Sequence, residues 1–185
     1  MIGIEKLSFS YGNKTVFEGL SLVFPDGICC LEGISGFGKT TLLRLVAGLL
    51  QPSRGTISGV PGRVSFMFQE DRLLPWLTAG ENVAAVLPRG RAGEAARWLR
   101  EVELEDERGA LPENLSGGQR RRVALARALA FGGDLLIMDE PLEGLDPGLS
   151  ARMAALVKGS VRNVIVTSHS AYESDLWGGT RIRLA

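Results

Sequence analysis

This sequence predicts an α/β fold around a mostly parallel central sheet, and three observations carry that prediction. Strand-like runs at 27–32, 64–68, 135–138 and 161–167 are rich in apolar residues, most continuously at 27–32 and 135–138, and so read as strands covered on both faces. Stretches of helical character fall between those runs. The chain has 185 residues, 45% hydrophobic and 23% charged, which suits one compact domain spanning 1–185.

The elements follow in order. Residues 2–24 alternate with period two through Ile2, Ile4, Leu7 and Phe9, then Val16, Leu20, Leu22 and Phe24, with a turn at Gly12-Asn13. They predict an N-terminal antiparallel β subdomain. A strand at 27–32, a glycine-rich loop and a helix at 40–49 come next, the helix ended by Gln51-Pro52-Ser53. The strand at 64–68 leads into Gln69, and helices at 81–87 and 92–102 form a helical insert over about 70–118. Ser116 opens a helix that runs to about residue 130. The strand at 135–138 ends in Asp139-Glu140, and a helix at 148–157, the strand at 161–167, a short helix and a strand near 181–184 complete the chain. No repeat or low-complexity segment is present.

Composition narrows the partners. The formal net charge is zero and the pI about 6.6, so no global field draws the chain to nucleic acid or an anionic membrane. Arg120-Arg121-Arg122 at a helix start reads as a solvated face, and no nucleic-acid partner is expected. Cys29 and Cys30 are adjacent in an apolar run, where a mutual disulfide would be strained; they read as buried strand residues in a reducing cytosol. Arg44 interrupts the longest apolar stretch, which falls short of the roughly 18 residues of a membrane span. The first residues alternate like a strand rather than a secretory signal, so a cytoplasmic location is expected.

Gly33-Ile34-Ser35-Gly36-Phe37-Gly38-Lys39-Thr40-Thr41 fits the P-loop pattern in its required context of strand, loop and helix. Glycines let backbone N–H groups turn toward phosphate oxygens, and the helix adds its positive N-terminus. Lys39 reaches the outer phosphates, and the Thr40 hydroxyl can ligate Mg²⁺. Asp139 and Glu140 emerge at the carboxyl end of an apolar strand, the ligand edge of such sheets. Asp139 is placed to hold Mg²⁺, largely through water, and Glu140 to orient or deprotonate the water that attacks a γ-phosphate.

With Leu115-Ser116-Gly117-Gly118-Gln119 lying between these two motifs and continuing as Arg120-Arg121-Arg122-Val123-Ala124, the chain resembles the nucleotide-binding domain of ATP-binding cassette (ABC) proteins. The resemblance runs from about residue 2 to 169. It implies a P-loop NTPase fold with a shortened helical signature subdomain, ATP and Mg²⁺ as cofactors, and ATPase activity. Gln69 resembles the glutamine that meets Mg²⁺ and senses a membrane partner. Glu143-Gly144-Leu145-Asp146 resembles the D-loop, His169 lies where a γ-phosphate-contacting histidine is expected, and Tyr11, ahead of Val16, looks like the aromatic that stacks on adenine. The resemblance implies that Ser116, Gly117 and Gly118 contact ATP on another copy's P-loop, so two chains pair head to tail around two nucleotides.

Residues 68–78, with Glu81-Asn82-Val83, look like the corresponding region of bacterial importers for nitrate, sulfonate and taurine. In such importers the ATPase is a separate chain, peripheral on the inner face of the membrane. It docks on permease subunits, which in turn meet an external solute-binding protein. Leu74, Trp76 and Leu77 either form that docking groove or pack the insert onto the sheet. A soluble cassette ATPase acting on DNA or the ribosome, and a shortened regulatory nucleotide-binding module, are the alternatives. The chain departs from the family pattern in short spacings from Lys39 to Gln69 and from Gln69 to Ser116, and in the few residues after His169, so no C-terminal regulatory domain is expected. Ser170 stands where an acidic residue is common, and Glu143-Gly144 where small residues are common. The transported solute is not encoded here.

Overall fold

The computed structural model describes residues 1–168 and 170–184. Two sheets organise it. β1 (Ile2–Tyr11) pairs antiparallel with β2 (Lys14–Phe24) on one side and with β4 (Arg54–Ser58) on the other. The second sheet has the order β5-β6-β7-β3-β8 with every pairing parallel, built from β3 (Ile28–Glu32), β5 (Val64–Met67), β6 (Leu135–Met138), β7 (Val164–Thr167) and β8 (Thr180–Arg183). The antiparallel and parallel sheets both match the sequence prediction.

Why the inner parallel strands β3, β6 and β7 are almost wholly apolar is visible in their packing. Successive residues point to opposite faces, and each face has its own core. Cys29, Leu31, Leu135, Ile137 and Ile165 pack with the β1–β2 sheet and with α1 (Lys39–Val46). Cys30, Leu136, Met138, Val164 and Val166 pack with Val83 of α2 (Ala79–Ala84), Leu99 of α3 (Glu94–Glu101), Val123 of α4 (Gly117–Phe131), Met153 of α5 (Pro147–Ser160) and Trp177 of α6 (Ala171–Trp177). The two cysteines are free and buried, one in each core.

Helix boundaries moved for identifiable reasons. α1 stops at Val46 rather than near 49, because Gly48 at φ 72° closes a Schellman motif. There the Leu49 N–H donates to the Arg44 carbonyl at 2.9 Å and the Gly48 N–H to the Leu45 carbonyl at 3.1 Å. α2 starts earlier than expected because Thr78 and Glu81 form a capping box: the Thr78 hydroxyl accepts from the Glu81 N–H at 3.2 Å, and Glu81 accepts from the Thr78 N–H at 2.8 Å. α5 likewise begins one residue early, with Asp146 as N-cap and Pro147 in the first turn. β4 has no signal in the sequence: of its residues only Ile57 is even partly buried, so no apolar alternation marks it. Among the described residues no helix is long and apolar enough to cross a membrane.

Candidate active site

The functional residues gather because parallel strands end together. The P-loop follows β3, Gln69 follows β5 and Asp139-Glu140 follow β6, all at the carboxyl edge of one sheet. His169, after β7, lies outside the described residues. A cavity of about 300 Å³ at this edge is lined by Ser35, Gly36, Gly38, Lys39, Thr40, Thr41, Gln69 and Glu140. A second, of about 310 Å³, shares Gly36, Gly38 and Thr41 and adds Tyr11, Lys14, Thr15, Val16 and Phe37. The first is polar in its lining and carries the Lys39 ammonium; the second carries two aromatic rings, those of Tyr11 and Phe37. Tyr11 is exposed and held edge-on by Phe9, their centroids 4.9 Å apart. A smaller concavity of about 130 Å³ beside Asp26, Asp134 and Asn163 has no lysine or arginine in its lining to receive an anion.

Gly33 and Ile34 present their carbonyls to Lys39 Nζ at 2.7 and 3.3 Å, so the ammonium is held within the loop beneath its exposed rim of Ile34, Ser35, Gly36 and Phe37. Gly38 caps α1 in the left-handed region at φ 89°. A Cβ there would come within 2.7 Å of Val16 Cγ1 and 2.8 Å of Phe17 Cζ, which fixes how closely the loop approaches β2. Gly38→Ala therefore adds backbone strain and a clash. A cost of about 1–3 kcal/mol is expected together with weakened ATP binding, read by thermal melts and nucleotide titration; an unchanged melt would remove this role for Gly38.

Behind the loop, Asp139 and Glu140 are buried. Thr167 at the end of β7 ties them together: its hydroxyl donates to Asp139 Oδ1 at 2.8 Å and accepts from the Glu140 N–H at 2.9 Å. Glu140 sits at φ 52°, a left-handed backbone for a non-glycine residue, and its Oε2 accepts from Gln69 Nε2 at 3.1 Å. Asp139 Oδ2 is buried with no hydrogen-bond partner among the described residues. That orphaned oxygen and the Thr40 hydroxyl on the cavity wall suit a divalent cation. Among the described residues no group of three His, Cys, Asp or Glu side chains is assembled, so such an ion would be completed by phosphate and water oxygens, as Mg²⁺ tolerates. Thr167→Val keeps the shape but strands the Glu140 N–H. It is expected to lower stability by about 1–3 kcal/mol, measured by denaturant unfolding; wild-type stability would show the hydroxyl to be dispensable.

The signature tract caps α4. Ser116 Oγ accepts from the Gln119 N–H at 3.2 Å, and Gln119 Oε1 accepts from the Ser116 N–H at 2.8 Å. Gln119 Nε2 also donates to Glu107 at 2.9 Å, so the amide is engaged at both ends. Ser116 and Gly117 are exposed. A Cβ placed on Gly118 would lie 3.4 Å from Leu145, so the tract borders residues 143–146, where Asp146 Oδ1 accepts from the Leu149 N–H at 3.0 Å. Ser116, Gly117, Gly118 and Asp146 line neither cavity.

The arginine run corrects the sequence reading. Arg121 is only 4% exposed and Arg120 and Arg122 are half-buried. α4 passes beneath the loop after β5, whose carbonyls need donors that a guanidinium supplies. Arg127 serves the same loop, donating to the carbonyls of Asp71 and Arg72 at 2.9 and 2.8 Å. Sequence reasoning also missed Thr167, whose one signal is a hydroxyl closing an apolar strand.

The ABC transporter family profile matches residues 17–143. The chain belongs to that family. A curated relative from Paraburkholderia xenovorans (strain LB400), aliphatic sulfonates import ATP-binding protein SsuB 3, is 45% identical over 180 residues, covering 94% of this chain and 72% of its own. Another, aliphatic sulfonates import ATP-binding protein SsuB from Granulibacter bethesdensis (strain ATCC BAA-1260 / CGDNIH1), is 43% identical over 159 residues, covering 85% of this chain and 66% of its own. Across such relatives the chain spans from 56% to 75% of their length. The dimeric structure of the bacterial ABC transporter cassette MJ0796 superposes with a TM-score of 0.90 at 26% identity, covering 100% of this chain and 94% of that one. The same cassette in a post-hydrolysis state, bound to ADP and Pi, gives 0.86. The chain is thus an ABC ATPase, and the P-loop NTPase fold and ATP binding predicted for it stand.

Proposed function

We propose that this ABC ATPase, as one domain over 1–185 with a helical subdomain at about 70–118, energises import of an aliphatic sulfonate or a close analogue through separate membrane subunits. One observation carries the working cycle: the polar cavity at the P-loop contains Lys39 and Glu140 but not the exposed signature Ser116. A second copy facing it head to tail would supply that serine. The dimeric state of the related cassette and the import function in the relatives' names support this reading.

In the closed dimer, Tyr11 stacks on adenine beside Val16. Backbone N–H groups across residues 33–41 and the Lys39 ammonium take the phosphates. Ser116, Gly117 and Gly118 of the other chain cap the γ-phosphate, with Gln119 fixing the serine and Asp146 at the seam. Thr40, Asp139 and Gln69 hold the site for Mg²⁺, which when bound offsets charge on the β- and γ-phosphates. Glu140 accepts the proton of the attacking water, and His169 meets the γ-phosphate. ATP shifts the population toward the closed dimer, and loss of phosphate reopens it.

Trp76 is 71% exposed, whereas Leu73, Leu74 and Leu77 are half-buried, so the segment divides between packing the insert and presenting an apolar knob. The Asn82 amide holds it, its Nδ2 donating to the carbonyls of Leu74, Leu77 and Thr78. This face would dock permease subunits on the inner side of the membrane, and the permease would meet an external solute-binding protein. The test is reconstitution with sulfonate-importer membrane subunits in proteoliposomes. ATP-dependent sulfonate uptake that requires this chain is expected; hydrolysis with no membrane association and no uptake would contradict the import role.

A further inference from the structure

One side chain on the signature helix reaches the chain's own catalytic strand. Arg121 lies five residues beyond Ser116, about 8 Å along the helix axis. Its Nη2 donates to the carbonyls of Asp139 and Glu140 at 2.7 and 2.5 Å, and its Nε to that of Pro141 at 3.3 Å. Its Nη1 donates to the carbonyls of Phe68 and Gln69 at 2.9 and 2.6 Å, and to Asp71 Oδ1 at 3.3 Å. The guanidinium therefore joins the segment that carries Gln69 to the one that carries Glu140, the two residues whose side chains hydrogen-bond across the cavity.

Two features make this joint more than filling. Glu140 holds a left-handed backbone, and such a conformation persists only where the surroundings over-determine it. Its N–H is fixed by Thr167 and its carbonyl by Arg121. The helix is also anchored at its outer side, because Arg122 donates to the carbonyls of Val102 and Glu103 at 2.8 Å each, which ties α4 to the end of α3.

We propose that Arg121 is a positioning residue that couples the two nucleotide sites: displacement of the signature helix by ATP bound on the partner chain is transmitted through Arg121 to Gln69 and Glu140 of its own site. The proposal rests on the dimeric ATPase reading above. A lysine cannot replace the fork, since its compact ammonium has three donors and cannot span both segments.

The experiment uses the full chain and compares wild type with Arg121→Lys and Arg121→Met. Rate against ATP concentration, affinity for a fluorescent ATP analogue in the single chain, and thermal melts are recorded. Single-chain affinity within about twofold of wild type is expected, together with a turnover lower by about 10- to 100-fold and a Hill coefficient falling toward unity. Wild-type turnover and cooperativity in Arg121→Lys would overturn the proposal, as would ATP affinity falling in step with rate, which a merely structural role predicts. Should both variants fail to fold, amide exchange on the wild-type chain decides: ATP-driven pairing should slow exchange at the amides of residues 69–71, 140 and 142, and unchanged exchange there overturns the coupling. A wild-type chain that hydrolyses no ATP sinks the ATPase reading and the proposal with it, whereas failure confined to the Arg121 variants or to the exchange sinks only the proposal.

Discussion

Replacing Glu140 with glutamine is expected to lower turnover by about 10²- to 10⁴-fold, the usual contribution of a positioned general base, while leaving ATP binding in place. The substitution preserves shape. Gln69 Nε2 now donates to Glu140 Oε2 at 3.1 Å, and an amide oxygen at the same place can accept that hydrogen bond. The backbone grip on residue 140 from Thr167 and Arg121 does not involve the carboxyl group. What is lost is the proton acceptor. With ATP bound and not consumed, the closed pair accumulates, because a ligand that binds one state better shifts the population toward it. Light scattering should report an ATP-dependent dimer together with near-zero phosphate release. Undiminished hydrolysis would remove Glu140 from the chemistry.

Ser116→Arg should separate binding from turnover by a different route. Ser116 and Gly117 are exposed and line neither cavity, so a large cation there leaves the chain's own P-loop untouched. It removes the helix cap, at about 1 kcal/mol, and sets a positive side chain at the positive end of α4, blocking approach to another chain's γ-phosphate. ATP affinity close to wild type, no ATP-dependent dimer and turnover lost by at least about 100-fold are expected. Equilibrium binding, sedimentation and phosphate release check the three. Normal turnover would mean that the signature tract has no part in hydrolysis.

Much of this was legible in sequence because the chemistry is local. A P-loop is one contiguous stretch, residues 33–41, and the capping box of Ser116 and Gln119 is closed within one helical turn. The inner parallel strands β3, β6 and β7 announced themselves through apolar runs, since burial on both faces leaves no room for alternation. What stayed hidden depends on partners far away in the chain. β4 forms because β1 offers it an edge, not because its own residues alternate. Arg121 looked like part of a charged surface, yet its acceptors lie in loops about β5 and β6, and only the fold brings them beneath the helix. Thr167 became part of the site because β7 pairs with β6 and sets its hydroxyl against Asp139 and Glu140.

The proposed dimer shares each ATP site between two chains, so mixing two inactive variants with different defects should restore one working site. Lys39→Ala lacks a working P-loop and Ser116→Arg lacks a working signature. In a mixed pair, the intact P-loop of one faces the intact signature of the other, while both defects fall together in the second site. Each variant alone should be inactive, and phosphate release should return on mixing, below the wild-type rate because the Lys39→Ala chain holds no ATP to displace the signature helix of the working chain. A mixture as inactive as its components, at concentrations where wild type turns over, would contradict the shared site.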